Sequence, residues 1–91
     1  MMYATKIRMQ NGCERSHHCA DIAEIYLEGS GANHFYKKED LHDYLRKNPQ
    51  AIRVKLGIQP YVIPAMLWST KYVRSEPNDT PRDNLLSLPR V

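Results

Sequence analysis

Two cysteines, one tryptophan, one phenylalanine and four glycines are all that this 91-residue chain holds of those types. Cys13 and Cys19 are too few for the disulfide framework of a small secreted domain, so free thiols are expected. Four glycines and six prolines, without a repeat, exclude a collagen-like or low-complexity chain. No apolar run comes near the ~20 residues of a membrane span, and no membrane partner is expected. The first residues, Met1-Met2-Tyr3-Ala4-Thr5-Lys6, lack the apolar stretch of a secretory signal, which makes a cytoplasmic location the expectation. There is no phosphate-cradling glycine loop, nucleophile elbow or paired-carboxylate signature, and no catalytic residue or cofactor is assigned.

What is present is ordinary globular material. Hydrophobic residues make up 42% and charged residues 25%, and the length fits one domain over residues 1–91. Thirteen Lys/Arg against ten Asp/Glu give a net charge of +3, too small to compel a nucleic-acid partner. The charge is uneven. Residues 1–50 carry seven basic and seven acidic side chains, so the excess lies wholly in residues 51–91, with six against three.

The periodicity reads as β-β-α-β-β. Tyr3, Thr5, Ile7 and Met9 alternate with Lys6 and Arg8 as a half-buried strand, and Ala23, Ile25 and Leu27 alternate with Glu24, Tyr26 and Glu28 as a second. Gly29-Ser30-Gly31-Ala32-Asn33 reads as a loop. Residues 37–48 form the helix, with Glu39 and Asp40 at its start, Arg46 and Lys47 at its end, and Leu41, Tyr44 and Leu45 as its apolar stripe. Asn48-Pro49 stops it. Ile52, Val54 and Leu56 point inward from a third strand; Tyr61–Met66 is a fourth, at an edge because of Pro64; Thr70–Ser75 is a fifth. The expected fold is a single small α+β domain, a mixed sheet of about five strands with one helix packed on it.

Three groups of residues carry possible chemistry. Cys13, His17, His18 and Cys19 are zinc-type ligands, but they crowd one loop without the paired spacing of a structural site, and no metal is assigned. Arg53, Lys55, Lys71 and Arg74 interleave with Tyr61, Trp68 and Tyr72, the mixture with which a sheet binds single-stranded nucleic acid. A solvated basic face over core aromatics is the simpler reading of them. Asp79, Asp83 and Asn84 form a polar cluster in a proline-rich turn, where such side chains mostly bond the backbone, and Asn78-Asp79-Thr80 is a chance glycosylation sequon.

Lys71-Tyr72-Val73-Arg74-Ser75 and Asp83-Asn84-Leu85-Leu86-Ser87-Leu88-Pro89 together resemble a bacterial small-protein family, domain of unknown function 3892, whose members end in a K-Y-[IL]-R-[TS] strand and D-N-L-L-x-L-P. The likeness covers residues 71–89 and is looser upstream, with Ser75 where Thr is usual and Val91 where a Cys is common. It implies a single domain and no particular activity. Physically the signature reads as a clasp. Arg74 offers a bidentate fork to Asp83, Asn84 serves loop backbone groups, and Leu85, Leu86 and Leu88 pack the tail onto the sheet. The function expected is a cytosolic binding or regulatory module, with a protein or weakly bound nucleic acid as partner. Two alternatives stand beside it: a single-stranded nucleic-acid binder using Arg53, Lys55, Trp68, Lys71, Tyr72 and Arg74, and a small hydrolase using Asp83 with a His or Cys.

Overall fold

A computed structural model of the chain describes residues 1–77 and 83–91. The sequon at Asn78-Asp79-Thr80 lies outside the described residues. The first strand, β1 (Met2–Met9), pairs antiparallel with β2 (Ile22–Gly29), which pairs antiparallel with β3 (Ala32–Lys37). After the helix α1 (Lys38–Lys47), a short β4 (Ile52–Val54) lies parallel to the start of β1, so the sheet is mixed, in the order β3-β2-β1-β4. A separate hairpin of β5 (Val62–Leu67) and β6 (Thr70–Ser75) packs on α1, which lies between it and β2 and β3. The expected α+β domain, with a mixed sheet and one packed helix, is what the structure has. Among the described residues it has six strands, divided into a four-stranded sheet and a hairpin.

The sixth strand is the segment Gly29-Ser30-Gly31-Ala32-Asn33, which reads as a loop from composition. It is a two-residue hairpin. Ser30 and Gly31 take φ of 51° and 86°, the left-handed pair that matches the twist of the flanking strands. Gly29 is required for a different reason. Its φ is 99°, and a Cβ there would lie 2.7 Å from the carbonyl oxygen of Met1.

Two bulges change which residues face the core. Pairing shifts between Ala4 and Lys6, leaving Thr5 unpaired, and Thr5 donates its hydroxyl to Glu28 at 2.9 Å. The inward set of β1 is therefore Ala4, Ile7 and Met9 rather than Tyr3, Thr5, Ile7 and Met9. A second shift between Arg8 and Met9 skips Ala23 and lets Ile22 join Ile25 and Leu27 in the core.

The buried stripe of α1 is Lys38, Leu41, His42 and Leu45; Tyr44 is exposed instead of inward. Two polar groups enter the core because each finds a carbonyl. Lys38, 2% exposed, donates to Ala20 O, and His42 donates from Nδ1 to Tyr72 O at 3.0 Å. Leu56 also departs from expectation. β4 ends at Val54, the Leu56 amide turns back to Val54 O at 2.9 Å, and the side chain is exposed.

The C-terminal segment closes the domain. A 3₁₀ turn at Asn84–Ser87 buries Leu85 and Leu86, with Leu88 beside them. Residues 89–91 then lie parallel to β1 beyond β4, with Ile7 N–H on Pro89 O at 2.9 Å and Val91 N–H on Ile7 O at 3.0 Å. Leu85 is fully buried. Leu85→Ala should cost about 2–5 kcal/mol and lower Tm by roughly 10 °C or more, measured by thermal denaturation.

Candidate functional site

The basic and aromatic residues of the C-terminal half do not share one face. Arg53 lies flat on Tyr61, its Cζ 4.1 Å from the ring centre, and donates to Gln59 O and Tyr61 Oη at 2.8 Å each. Lys55 is exposed just past β4. Lys71 extends to the helix and pairs with Asp43 at 2.9 Å, a hydrogen bond that holds the Asp43 carboxyl below its ordinary range. Both partners are well exposed, and such a pair adds little stability. Trp68 sits at the hairpin turn, while Tyr72 and Arg74 line a hollow on another side of the molecule.

That hollow, of about 410 Å³, is walled by His17, His18, Tyr72 and Arg74 over Cys19, Asp83 and Leu86. Its floor is organised by Asp83. The carboxylate accepts the Ser75 amide on both oxygens at 3.2 Å and the Leu85 amide at 2.9 Å. It also receives the Cys19 thiol. With both oxygens taken, Arg74 meets it side-on, Nε to Oδ2 at 3.8 Å, and bonds Ser75 O at 3.4 Å. The expected bidentate fork is thus a single loose ion pair. Asn84 sends its amide N–H to Ser75 Oγ at 3.2 Å, and its side chain lies against Gly57. Leu85, Leu86 and Leu88 are buried.

Cys, His and Asp converge here, yet their bonds hold structure. Burial first, and the Asp83 charge and hydrogen bond next, push the Cys19 thiol up to about 12. A thiol so held stays protonated near neutrality and is no nucleophile. His18 uses Nδ1 to accept the Ala20 amide at 3.1 Å, and its ring meets Tyr72 edge-on at 6.0 Å. The hydrolase alternative gains no activated nucleophile from this arrangement. Both cysteines are free thiols. Among the described residues no group of three or more His, Cys, Asp or Glu is placed to hold a metal ion.

The hairpin tip is a different kind of site. Trp68 is 92% exposed, next to Met66 at 53% and Leu67 at 40%. Its φ is +56°, left-handed backbone that a bulky residue occupies only under strain. Lys71 stands opposite Met66 in the hairpin, and its partner Asp43 joins Arg46 and Lys47 in a second hollow of about 410 Å³. The Lys71–Asp43 pair thus stands beside the apolar tip.

Sequence reasoning missed the pairing of Lys6 with Tyr26 and of Arg8 with Phe35 on the four-stranded sheet. Each pair joins residues about twenty or more positions apart, and only the strand register brings them together. Among the described residues no helix is long and apolar enough to cross a membrane. Comparison of the chain with family models, curated proteins and solved structures returns no match.

The raised thiol has a pH signature. Below about pH 9 Cys19 is protonated in both folded and unfolded chains and contributes no slope. Between about 9 and 12 only the unfolded chain ionises there, so stability falls by about 1.4 kcal/mol per pH unit from this group. Denaturant titrations from pH 8 to 11 should show that slope in the parent chain and a shallower one in Cys19→Ala.

Proposed function

We propose that this chain is a non-catalytic protein-interaction module whose docking element is the tip of the β5–β6 hairpin, with Trp68 as its anchor. One observation carries the reading: a tryptophan 92% exposed, on left-handed backbone, flanked by exposed Met66 and Leu67. A stable core gains nothing from such a residue. Interfaces gain most from it, because tryptophan concentrates binding energy when a partner's pocket desolvates it. The strain at residue 68 supports the same reading, since strained positions cluster where function requires them.

The partner's chemistry follows from the tip. Three exposed apolar side chains amount to a few hundred Å² at most, well short of the ~800 Å² per partner of a stable flat interface. Self-association through this patch alone would be weak. An apolar socket that engulfs the indole fits better, with an acidic group at its rim to meet Lys71. Membership of the bacterial family that residues 71–89 resemble belongs to the same proposal, as does a cytosolic location, which the two free thiols support.

The test begins with a photo-crosslinking amino acid at position 66, and at exposed Glu39 as control, in the full chain expressed in cells. A protein captured only from position 66 is purified, and its binding is followed by Trp68 emission. A saturable blue shift, with at least tenfold weaker binding of Trp68→Gly, is expected. Trp68→Gly should also raise stability slightly, by up to about 1 kcal/mol, because it relieves strain and removes no packing. Equal binding by Trp68→Gly, or an equal emission shift with anionic lipid vesicles alone, contradicts the proposal.

A further inference from the structure

Among the described residues the elements packed on the four-stranded sheet lie on one face. Helix α1 packs against β2 and β3, and the Asn84–Ser87 turn against β1, on the side of Ala4, Ile7, Ile25 and Leu27. Among the described residues the side chains of the other face are all exposed or half-buried, and their composition is unusual. Strand register aligns Lys6, Tyr26 and Phe35 in one row across β1, β2 and β3, and Arg8, Glu24 and Lys37 in the next. Tyr3 lies one row beyond, between Glu28 on β2 and Arg53 on β4.

Every cation-aromatic contact of the described residues belongs to this sheet. Lys6 Nζ stands 4.5 Å above the Tyr26 ring, Arg8 Cζ 4.0 Å above Phe35, and Arg53 is stacked on Tyr61 at the β4 edge. Tyr26 and Phe35 meet edge to face at 5.0 Å, and the Tyr26 hydroxyl is pinned to Asn33 at 2.7 Å. The rings are therefore fixed before any ligand arrives. Four cations, Lys6, Arg8, Lys37 and Arg53, face two carboxylates, Glu24 and Glu28, a balance of +2. Among the described residues only Arg8 of these cations is in a carboxylate pair, with Glu24 at 2.8 Å. Among the described residues Lys6 has a ring as its partner and Arg53 has a ring, a hydroxyl and a carbonyl.

We infer that this open face binds single-stranded nucleic acid. Bases stack on the planar guanidinium of Arg8, which the Phe35 ring backs and the Tyr26 ring holds in place edge-on, while Lys6, Lys37 and Arg53 meet phosphates. Four strands at about 4.8 Å spacing are roughly 14 Å across, room for a few nucleotides. A duplex is a poor occupant, because its bases are already stacked and closed to the rings. The hairpin tip takes no part, so this inference stands apart from the docking proposal.

The test uses a fluorescein-labelled, mixed-sequence 15-nucleotide single strand and the full chain, followed by anisotropy at low salt. Saturable binding is expected, weakening with added salt at a log–log slope of about −2, at ~0.7 per phosphate for three cations. Phe35→Ala should weaken it about fivefold or more through lost stacking. Lys6→Glu should weaken all sequences alike and flatten the slope, which keeps the test decisive if Phe35→Ala folds poorly. Lys71→Glu and Trp68→Gly should bind as the parent does. Absence of saturable binding to the single strand, equal affinity for a duplex of the same length, or equal loss with Lys71→Glu overturns the inference.

Discussion

The Asp83 carboxylate is the contact on which the rest of the structure hangs. Its two oxygens tie three separate stretches of chain: the end of β6 through Ser75, the C-terminal turn through Leu85, and the Cys19 segment through its thiol. Those stretches include the leucines that seal the core and lead into the tail that pairs with Ile7. Replacing the carboxylate would strand two amides in partly buried positions, each costing about 1–3 kcal/mol. In a small domain of marginal stability that is a large share. The Asp83 bonds and the burial of Leu85 and Leu86 are thus contacts within the fold, and Arg74 flanks them.

With the hairpin and tail secured to the core, the surfaces are left to other work. Neither the tip nor the open sheet face contributes much to holding the fold. Trp68 packs on almost nothing, and the rings of Tyr26 and Phe35 lie half-buried beneath the ammonium of Lys6 and the guanidinium of Arg8. A protein anchor at one end and a nucleic-acid platform on another face would make the domain an adaptor. Both surfaces are formed in the free molecule, and pre-organisation of that kind is where binding free energy is least lost.

How much of this was legible in the sequence depends on how local each signal is. Helix α1, β2, β6 and the burial of Leu85, Leu86 and Leu88 follow from periodicity and turn chemistry that span a few residues. β3 was hidden because Gly29-Ser30-Gly31 reads as punctuation, and a two-residue turn needs the same residues as a loop. Thr5 and Ala23 broke the alternation silently, since a bulge has no composition of its own. Tyr44 was displaced from the core by Lys38 and His42, which are polar and enter only because Ala20 and Tyr72 offer carbonyls. The cation-aromatic pairs were the least legible. Charge counting pointed to residues 51–91, yet two of the three pairs join residues of the half whose charges cancel.

The central claim is that one carboxylate couples the hairpin, the tail and the Cys19 segment. Native-state hydrogen exchange on Asp83→Ala against the parent chain tests it most directly. The account predicts that the amides of Ser75 and Leu85 lose protection together with those of Ile7 and Val91, while Leu27 at the centre of the sheet keeps a larger share of its own. If Ser75 and Leu85 exchange as slowly as in the parent chain, or only the Leu85 amide changes, Asp83 is a local cap and the account is wrong.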